Sequence, residues 1–370
     1  MNTLPIEVSM RRSLHALLPV LLAASAACGG PAEAGAVADA GSGSNAPAQQ
    51  SADGGQASGA TGASTPGGTV TSQASAPASA WQPCAATLPA NQPVRAVSGA
   101  SGADLWAVGP AGMVLHRTAS GWSAFCRAGG PSLAAVWSAA ANDAWMVGDG
   151  LVLHFDGAAL SEVAPPQAAT PLRAVWGSSA SDVWVLAAAE VLHFDGKAWS
   201  RTAAAAMQTL GFDFGAFRDV WGAGPAEVTI AAERGTLRFD GKGWYASLAA
   251  PADQLLQSTW SSGAGDAWVA GKNLDGGSAL WRYAGTSWAP QALVQRSVID
   301  AVRGSSGNDV WFLAGAELLH WDGAALSSAT APPAAPAGAP HVLGPRDLYL
   351  PDAQGIAHWD GAAWTRALGR

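Results

Sequence analysis

Five histidines recur at one position of a repeating pattern: His116, His154, His193, His320 and His358. Arg238 and Arg282 fill that position in two further copies. An acid accompanies each, namely Asp104, Asp143, Asp182, Glu227, Asp266, Asp309 and Asp347. Aligned histidines and carboxylates suggest two chemistries, a metal centre and acid–base hydrolysis. A zinc ion needs its ligands within about 2 Å, whereas stacked sheets sit about 10 Å apart. Equivalent positions on neighbouring repeats therefore cannot converge on one ion, and an arginine cannot replace a ligand. Glycoside hydrolysis needs two carboxyl groups facing each other across a site, which one acid per repeat does not supply. The expected role is architectural. Each His or Arg donates to a carbonyl or to a repeat acid such as Asp182, because buried polar side chains are normally hydrogen-bonded. Each acid fixes a turn by accepting backbone N–H groups.

No nucleophile elbow, zinc-protease helix, phosphate loop or calcium-hand loop is present. The run Asn273-Leu274-Asp275-Gly276-Gly277 has the wrong spacing for a calcium loop. We therefore expect no catalytic residue, no metal and no cofactor.

The elements that hold these residues follow from the repeat, seen most clearly from Pro171 to Trp199. The repeat acids are spaced by 39, 39, 45, 39, 43 and 38 residues, which makes seven copies. A period of about 40 to 45 residues belongs to propellers. Each copy holds four short strand candidates. In the third copy these are 172–176, 182–186, 190–194 and 198–201, bounded by Gly, Ser or Asp. Asp195-Gly196 marks a tight hairpin, since Gly supplies positive φ at no steric cost. A lone four-stranded sheet with two apolar faces cannot bury both. Seven stacked around an axis cover one another. All 18 Trp lie between Trp81 and Trp364, suited to filling the wedges between radial sheets. The expected fold class is all-β, a seven-bladed β-propeller of four-stranded antiparallel blades.

Along the chain, residues 1–27 read as an export signal. Arg11 and Arg12 precede an apolar run, 14–24, too short to span a bilayer. Ala26-Ala27-Cys28 resembles a bacterial lipobox, which implies lipid attachment at Cys28 and a membrane association through that anchor only. Ser25 stands where that pattern usually has Leu, so ordinary cleavage after Ala26 is the rival reading. Residues 28–80 are Ala, Gly, Ser and Pro-rich, without aromatic, Lys or Arg, and should form a disordered tether. About 50 such residues reach about 40 Å. Residues 81–370 form the propeller. Trp81-Gln-Pro-Cys84 resembles an outer strand, and the chain also ends on one near Trp364. The extra strand either joins the closing blade or lies beside the first.

In an exported chain, Cys84 and Cys126 invite a disulfide. Both end outer-type strands, so the bond would pin the N-terminal strand to the first blade. The alternative is a pair of buried thiols. Net charge is −8 with only three Lys, which leaves no basic patch for nucleic acid. A monomer is expected.

Departures from the repeat mark a candidate binding face. The link 202–218 carries Phe212, Asp213, Phe214 and Phe217. The loop 271–279 carries Lys272, Asn273 and Asp275. In a meander both emerge on one face, and binding commonly sits on such loops. The alternative is that the phenylalanines plug a local gap.

VWGSSASDVWVLAAAEVLHFDGKAW resembles the tandem VWG-type repeats of bacterial surface lipoproteins, in the broad sialidase-like (BNR-type) propeller group. The resemblance spans Trp81 to Trp364 and implies the seven-bladed fold without an activity. The sialidase Asp box, Ser-x-Asp-x-Gly-x-Thr-Trp, is absent, and fold alone does not imply function. The expected function is an extracytoplasmic binding or scaffold lipoprotein of the cell envelope that takes a protein or polysaccharide. The alternative is a carbohydrate-active hydrolase or lyase at the axial channel. Such an enzyme would need converging acids or an acid with a Tyr, and Tyr245, Tyr283 and Tyr349 all lie in repeat strands.

Overall fold

The computed structural model describes residues 81–85, 92–164, 171–203, 210–293 and 297–369. The expected export signal, the expected tether and Cys28 lie outside the described residues.

The described residues form seven antiparallel sheets, one per repeat. In the third blade the strands are Leu172–Ser179, Asp182–Ala187, Glu190–Phe194 and Trp199–Ala203, in that spatial order. Their register sets Trp176 opposite Trp184, Trp184 opposite His193, and His193 opposite Ser200. The second strand, DVWVLA, is buried from Val183 through Ala187. Strict alternation is missing because both of its faces are covered by neighbouring blades. A continuous apolar run is what such a strand requires. Outer strands are partly wet, as at Trp244–Ala249.

The core consists of seven apolar clusters, one in each gap between blades. Between blades three and four, Trp184, Leu186 and Val191 meet Phe217, Val228 and Leu237. The gap between blades seven and one is filled in the same way, by Tyr349 and Ile356 against Leu105 and Leu115. The wheel is thus closed by packing together with hydrogen bonds, such as Trp122 Nε1 to Ala367 C=O (2.8 Å).

Blade seven supplies its own four strands from residues 341–369. The N-terminal strand Gln82–Cys84 instead adds a fifth, outermost strand to blade one, antiparallel to Gly121–Cys126. This decides between the two placements left open by the sequence. Cys84 and Cys126 form a disulfide across that pair, Cα atoms 6.0 Å apart. Trp81, just before it, is buried against Trp106 and Leu133.

The wheel has two distinct faces. Turns between first and second strands abut those between third and fourth strands, as at Ser181 and Gly196. On the opposite side the inter-blade links bond to the second-to-third-strand turns. Examples are Phe217 N–H to Ala188 C=O (2.9 Å) and Leu256 N–H to Glu233 C=O (2.9 Å). We call these the turn face and the link face.

Candidate functional site

The histidines and acids that open the sequence are paired, blade by blade. His Nε2 to Asp carboxylate distances are 2.8 Å (His116–Asp104), 3.3 Å (His154–Asp143), 2.6 Å (His193–Asp182), 2.7 Å (His320–Asp309) and 2.8 Å (His358–Asp347). Arg282 donates to Asp266 at 2.8 Å, and Arg238 lies 3.8 Å from Glu227. Four imidazoles also stack on the aromatic residue opposite them in register, and His320 lies tilted on Trp311. Trp106–His116 and Trp184–His193 centroids lie 3.8 Å apart, and Tyr349–His358 4.4 Å. The residue after the His then caps the preceding blade's stack: Phe155 on Trp106, Phe194 on Trp145, Phe239 on Trp184. The repeated Leu-His-aromatic run is therefore an inter-blade fastener, and its Asp-Gly closes the next hairpin. Asp195 Oδ1 accepts from the N–H groups of Lys197 (2.9 Å) and Ala198 (2.8 Å), and Gly196 takes φ of 86°. Those two donors hold the Asp195 carboxyl below its ordinary range.

Copy four departs from the pattern as a unit. Thr229 replaces the Trp, Glu227 the Asp and Arg238 the His. The guanidinium of Arg238 turns onto the Tyr283 ring of the next blade, 4.2 Å from its centroid.

The patch expected on the link face is not assembled. Phe214 and Phe217 are buried, and Phe212 packs edge-on against Phe214 within the gap between blades three and four. The gap-plug reading holds for these rings. Burial in a cluster of Trp and aliphatic side chains is worth more to them than exposure. Asp213 pairs with Arg234 and caps the Gly215 N–H at 3.0 Å. Lys272 and Asn273 lie in the second strand of blade five. Asp275 closes the local turn by accepting from Gly277 N–H at 2.9 Å. Only Leu274, 65% exposed, stands out there.

A different site lies on the axis. First strands of all seven blades line a channel of about 510 Å³. One inward slot, set opposite the second-strand aromatic (Thr229 in blade four), is filled by Ser98, Trp137, Trp176, Trp221, Trp260, Arg303 and His341. Most of these side chains reach onto the next blade. A Cβ on Gly177 would lie 2.7 Å from the Trp137 ring, one on Gly222 2.5 Å from Trp176, and one on Gly304 2.8 Å from Trp260. Glycine is required there for a close approach rather than for a turn. Ser98 Oγ accepts from Ser138 N–H at 3.1 Å, and His341 Nε2 sits within 3.1 Å of Gly99 N and 2.9 Å of its O. Burial lowers the His341 pKa to about 4, so the ring is neutral.

Arg303 reaches back two blades instead. Its guanidinium donates to Asp219 (2.9 Å) and lies over the Trp221 ring, 5.0 Å from the centroid. Asp219 also accepts from Ser258 Oγ (2.8 Å) and from the N–H of Thr259 (3.1 Å). This buried ion pair is fully supplied with partners, as burial demands.

Three residues before that slot, on the link face, the channel opens. In blades two to five the register slips by one residue at Ala134, Arg173, Arg218 and Gln257. Such bulges re-aim a side chain, and all four line the channel mouth. Arg95 and Asp300 hold the equivalent positions in blades one and six. Arg218 pairs with Glu233. Asp300 accepts from Gln257 Nε2 (3.3 Å) and Gly315 N–H (3.1 Å). The Nε of Arg173 is buried and meets no acceptor. The sequence offered one signal that was not used: Arg95-Ala-Val, Arg173-Ala-Val and Arg218-Asp-Val place an arginine at one slot of three copies.

No protein-family model matches the sequence, and no curated protein matches it. Solved structures match the fold. YCF48 bound to D1 peptide superposes with a TM-score of 0.56 at 15% identity, over 76% of this chain and 94% of that one. YCF48 from Cyanidioschyzon merolae gives 0.58 at 14% identity, over 77% and 100%. The β-propeller domain of Cps50 (Swd1) from Myceliophteria thermophila gives 0.56 at 13%, over 74% and 98%.

Proposed function

We propose that the chain is an exported, lipid-anchored propeller that holds a protein partner at the link-face mouth of its axial channel. The observation that carries this reading is the mouth itself. Bulges in four consecutive blades turn side chains inward there, and one arginine has a buried N–H without an acceptor. That a structurally similar propeller is bound to a peptide supports the same use of this scaffold.

A binding role is favoured over hydrolysis by the state of the acids lining the channel. Asp219 is consumed by Arg303 and Ser258, and Asp300 is held by a backbone N–H and a glutamine. Burial and the Asp347 charge push the Tyr349 hydroxyl up to about 12, far from a group poised for proton transfer at neutral pH. Polysaccharide recognition leans on open aromatic faces. Here Trp137 lies on Gly177 and Trp221 lies under Arg303.

Two experiments test the reading. A photo-crosslinking amino acid at Ala134 or Gln257 should yield protease-sensitive adducts in intact cells, and one at Lys197 on the turn face should not. Equal adducts from both faces, or none from the mouth, would sink it. Metabolic labelling with a fatty acid tests the anchor: label on the wild type but not on Cys28→Ala is expected.

A further inference from the structure

We infer that the channel mouth is a carboxylate-binding subsite for an acidic, extended peptide segment, anchored by Arg173, with Arg95 lining the same mouth two blades away. This rests on the proposed protein-binding role of the mouth and adds the chemistry of what it binds.

The chain is acidic as a whole, at −8, yet the mouth collects arginines from one slot of blades one, three and four. Their commitments differ. Arg218 is paired with Glu233, whose carboxyl is held below its ordinary range by the Ala216 N–H and by Arg218. Arg303, deeper in the channel, is neutralised by Asp219. Arg95 is exposed at the rim, and Arg173 keeps a buried Nε without an acceptor. The remaining acid at the mouth, Asp300, is engaged by Gln257 and Gly315. Neutral donors leave Asp300 its negative charge, so among the described residues Arg95 and Arg173 exceed it by one positive charge.

A guanidinium presents a planar fork of donors that matches a carboxylate with two parallel bonds. Because Arg173 is already partly desolvated, most of the cost of burying its charge has been met by folding, so an incoming anion gains more than it would at an open surface. A cavity of about 510 Å³ lies within the usual range for ligand pockets. It admits a few residues of extended chain, not a folded element. Gly177 abuts Trp137 and Arg303 covers one face of Trp221, which reduces the aromatic surface open to a sugar ring. A peptide is therefore the fitting carrier of the carboxylate, through an Asp or Glu side chain or a free C-terminus.

The test uses the full chain on an array of extended pentadecapeptides, each printed with a free and with an amidated C-terminus. Arg173→Met and Arg95→Met run in parallel, with oligogalacturonate as a carboxylated sugar competitor. Retained bound peptides should be enriched in Asp, Glu or free C-termini. Binding should fall about 10-fold to 100-fold in Arg173→Met, the range of one charge-assisted hydrogen bond or more. It should also weaken with added salt. Loss with amidation alone would assign the C-terminus, and loss with Asp or Glu replacement the side chain. Far-UV circular dichroism and melting confirm that each variant is folded, and Arg95→Met serves if Arg173→Met is not. Bound peptides with no carboxylate preference, or unchanged binding in both variants, would overturn the carboxylate assignment while leaving the mouth a protein site. Capture of oligogalacturonate in preference to every peptide would overturn it as well. Absence of any mouth cross-link in cells would remove the underlying reading instead.

Discussion

Replacing Asp309 with Ala probes the fastener where it is most deeply set. The Asp309 side chain is 4% exposed and accepts from three side chains, His320 Nε2 (2.7 Å), Trp311 Nε1 (2.8 Å) and Ser305 Oγ. Truncation strands the His320 and Trp311 donors beside the gap between blades six and seven, while the exposed Ser305 hydroxyl can turn to water. One charge-assisted hydrogen bond contributes about 1.5–3 kcal/mol, and breaking a buried pair from one side costs about 3–5 kcal/mol. Glu227 fills the same slot in blade four but is 34% exposed and stands 3.8 Å from Arg238. Its removal should cost about 1 kcal/mol, because the contact is long and Arg238 keeps its hydrogen bond to the Ala264 carbonyl (3.1 Å) and its place on the Tyr283 ring. Urea unfolding followed by Trp fluorescence reads both. With a denaturant slope of about 3 kcal/mol/M, Asp309→Ala should lower the midpoint by about 1 M or more and Glu227→Ala by about a third of that or less. His320→Ala added to Asp309→Ala should cost little more, because its partner is already gone. Equal losses at the two acids would refute the reasoning, since the repeat position rather than its burial would then set the energy.

The remaining expectations concern charge, the clasp and the plug. Burial holds His341 neutral, with a folded pKa of about 4 against 6.5 for the free side chain, so its contribution is complete above pH 6.5 and disappears as pH falls towards 4. His341→Gln should flatten the stability profile across that window, by up to about 3 kcal/mol at the acid end. An unchanged profile would count against the burial. Asp182 and Asp309 carry lowered pKa values under bonds from His193 and His320, so stability should fall further as the pH drops below the usual carboxylate range. Reduction of Cys84–Cys126, 42 residues apart in sequence, should cost about 4 kcal/mol on the chain-entropy estimate. The far-UV spectrum should persist, because the ring closes without that strand. Collapse of the spectrum on reduction would show otherwise. Phe217→Ala should lower stability by about 3–5 kcal/mol as a core cavity. Partner cross-linking at the mouth should be kept, whereas loss of partner with full stability would restore the link 202–218 as a binding surface.

The strands, their order and the number of blades were legible in the chain because each depends on neighbours in sequence. Val183 to Ala187 announces a strand covered on both sides, and Asp195-Gly196 announces its hairpin, through turn chemistry that acts over two or three residues. The His–Asp pairs were also within reach, since one acid and one imidazole recur together in each copy. What the chain could not disclose is convergence. Arg95, Arg173 and Arg218 are 78 and 45 residues apart along it. They share a channel only because closing the wheel brings one slot of each blade to the axis. Phe212, Phe214 and Phe217 showed the opposite limit: an irregular insertion rich in aromatic residues reads the same whether it faces water or a gap. Local pattern fixes which groups a strand presents, whereas the wheel decides which groups meet and which stay wet.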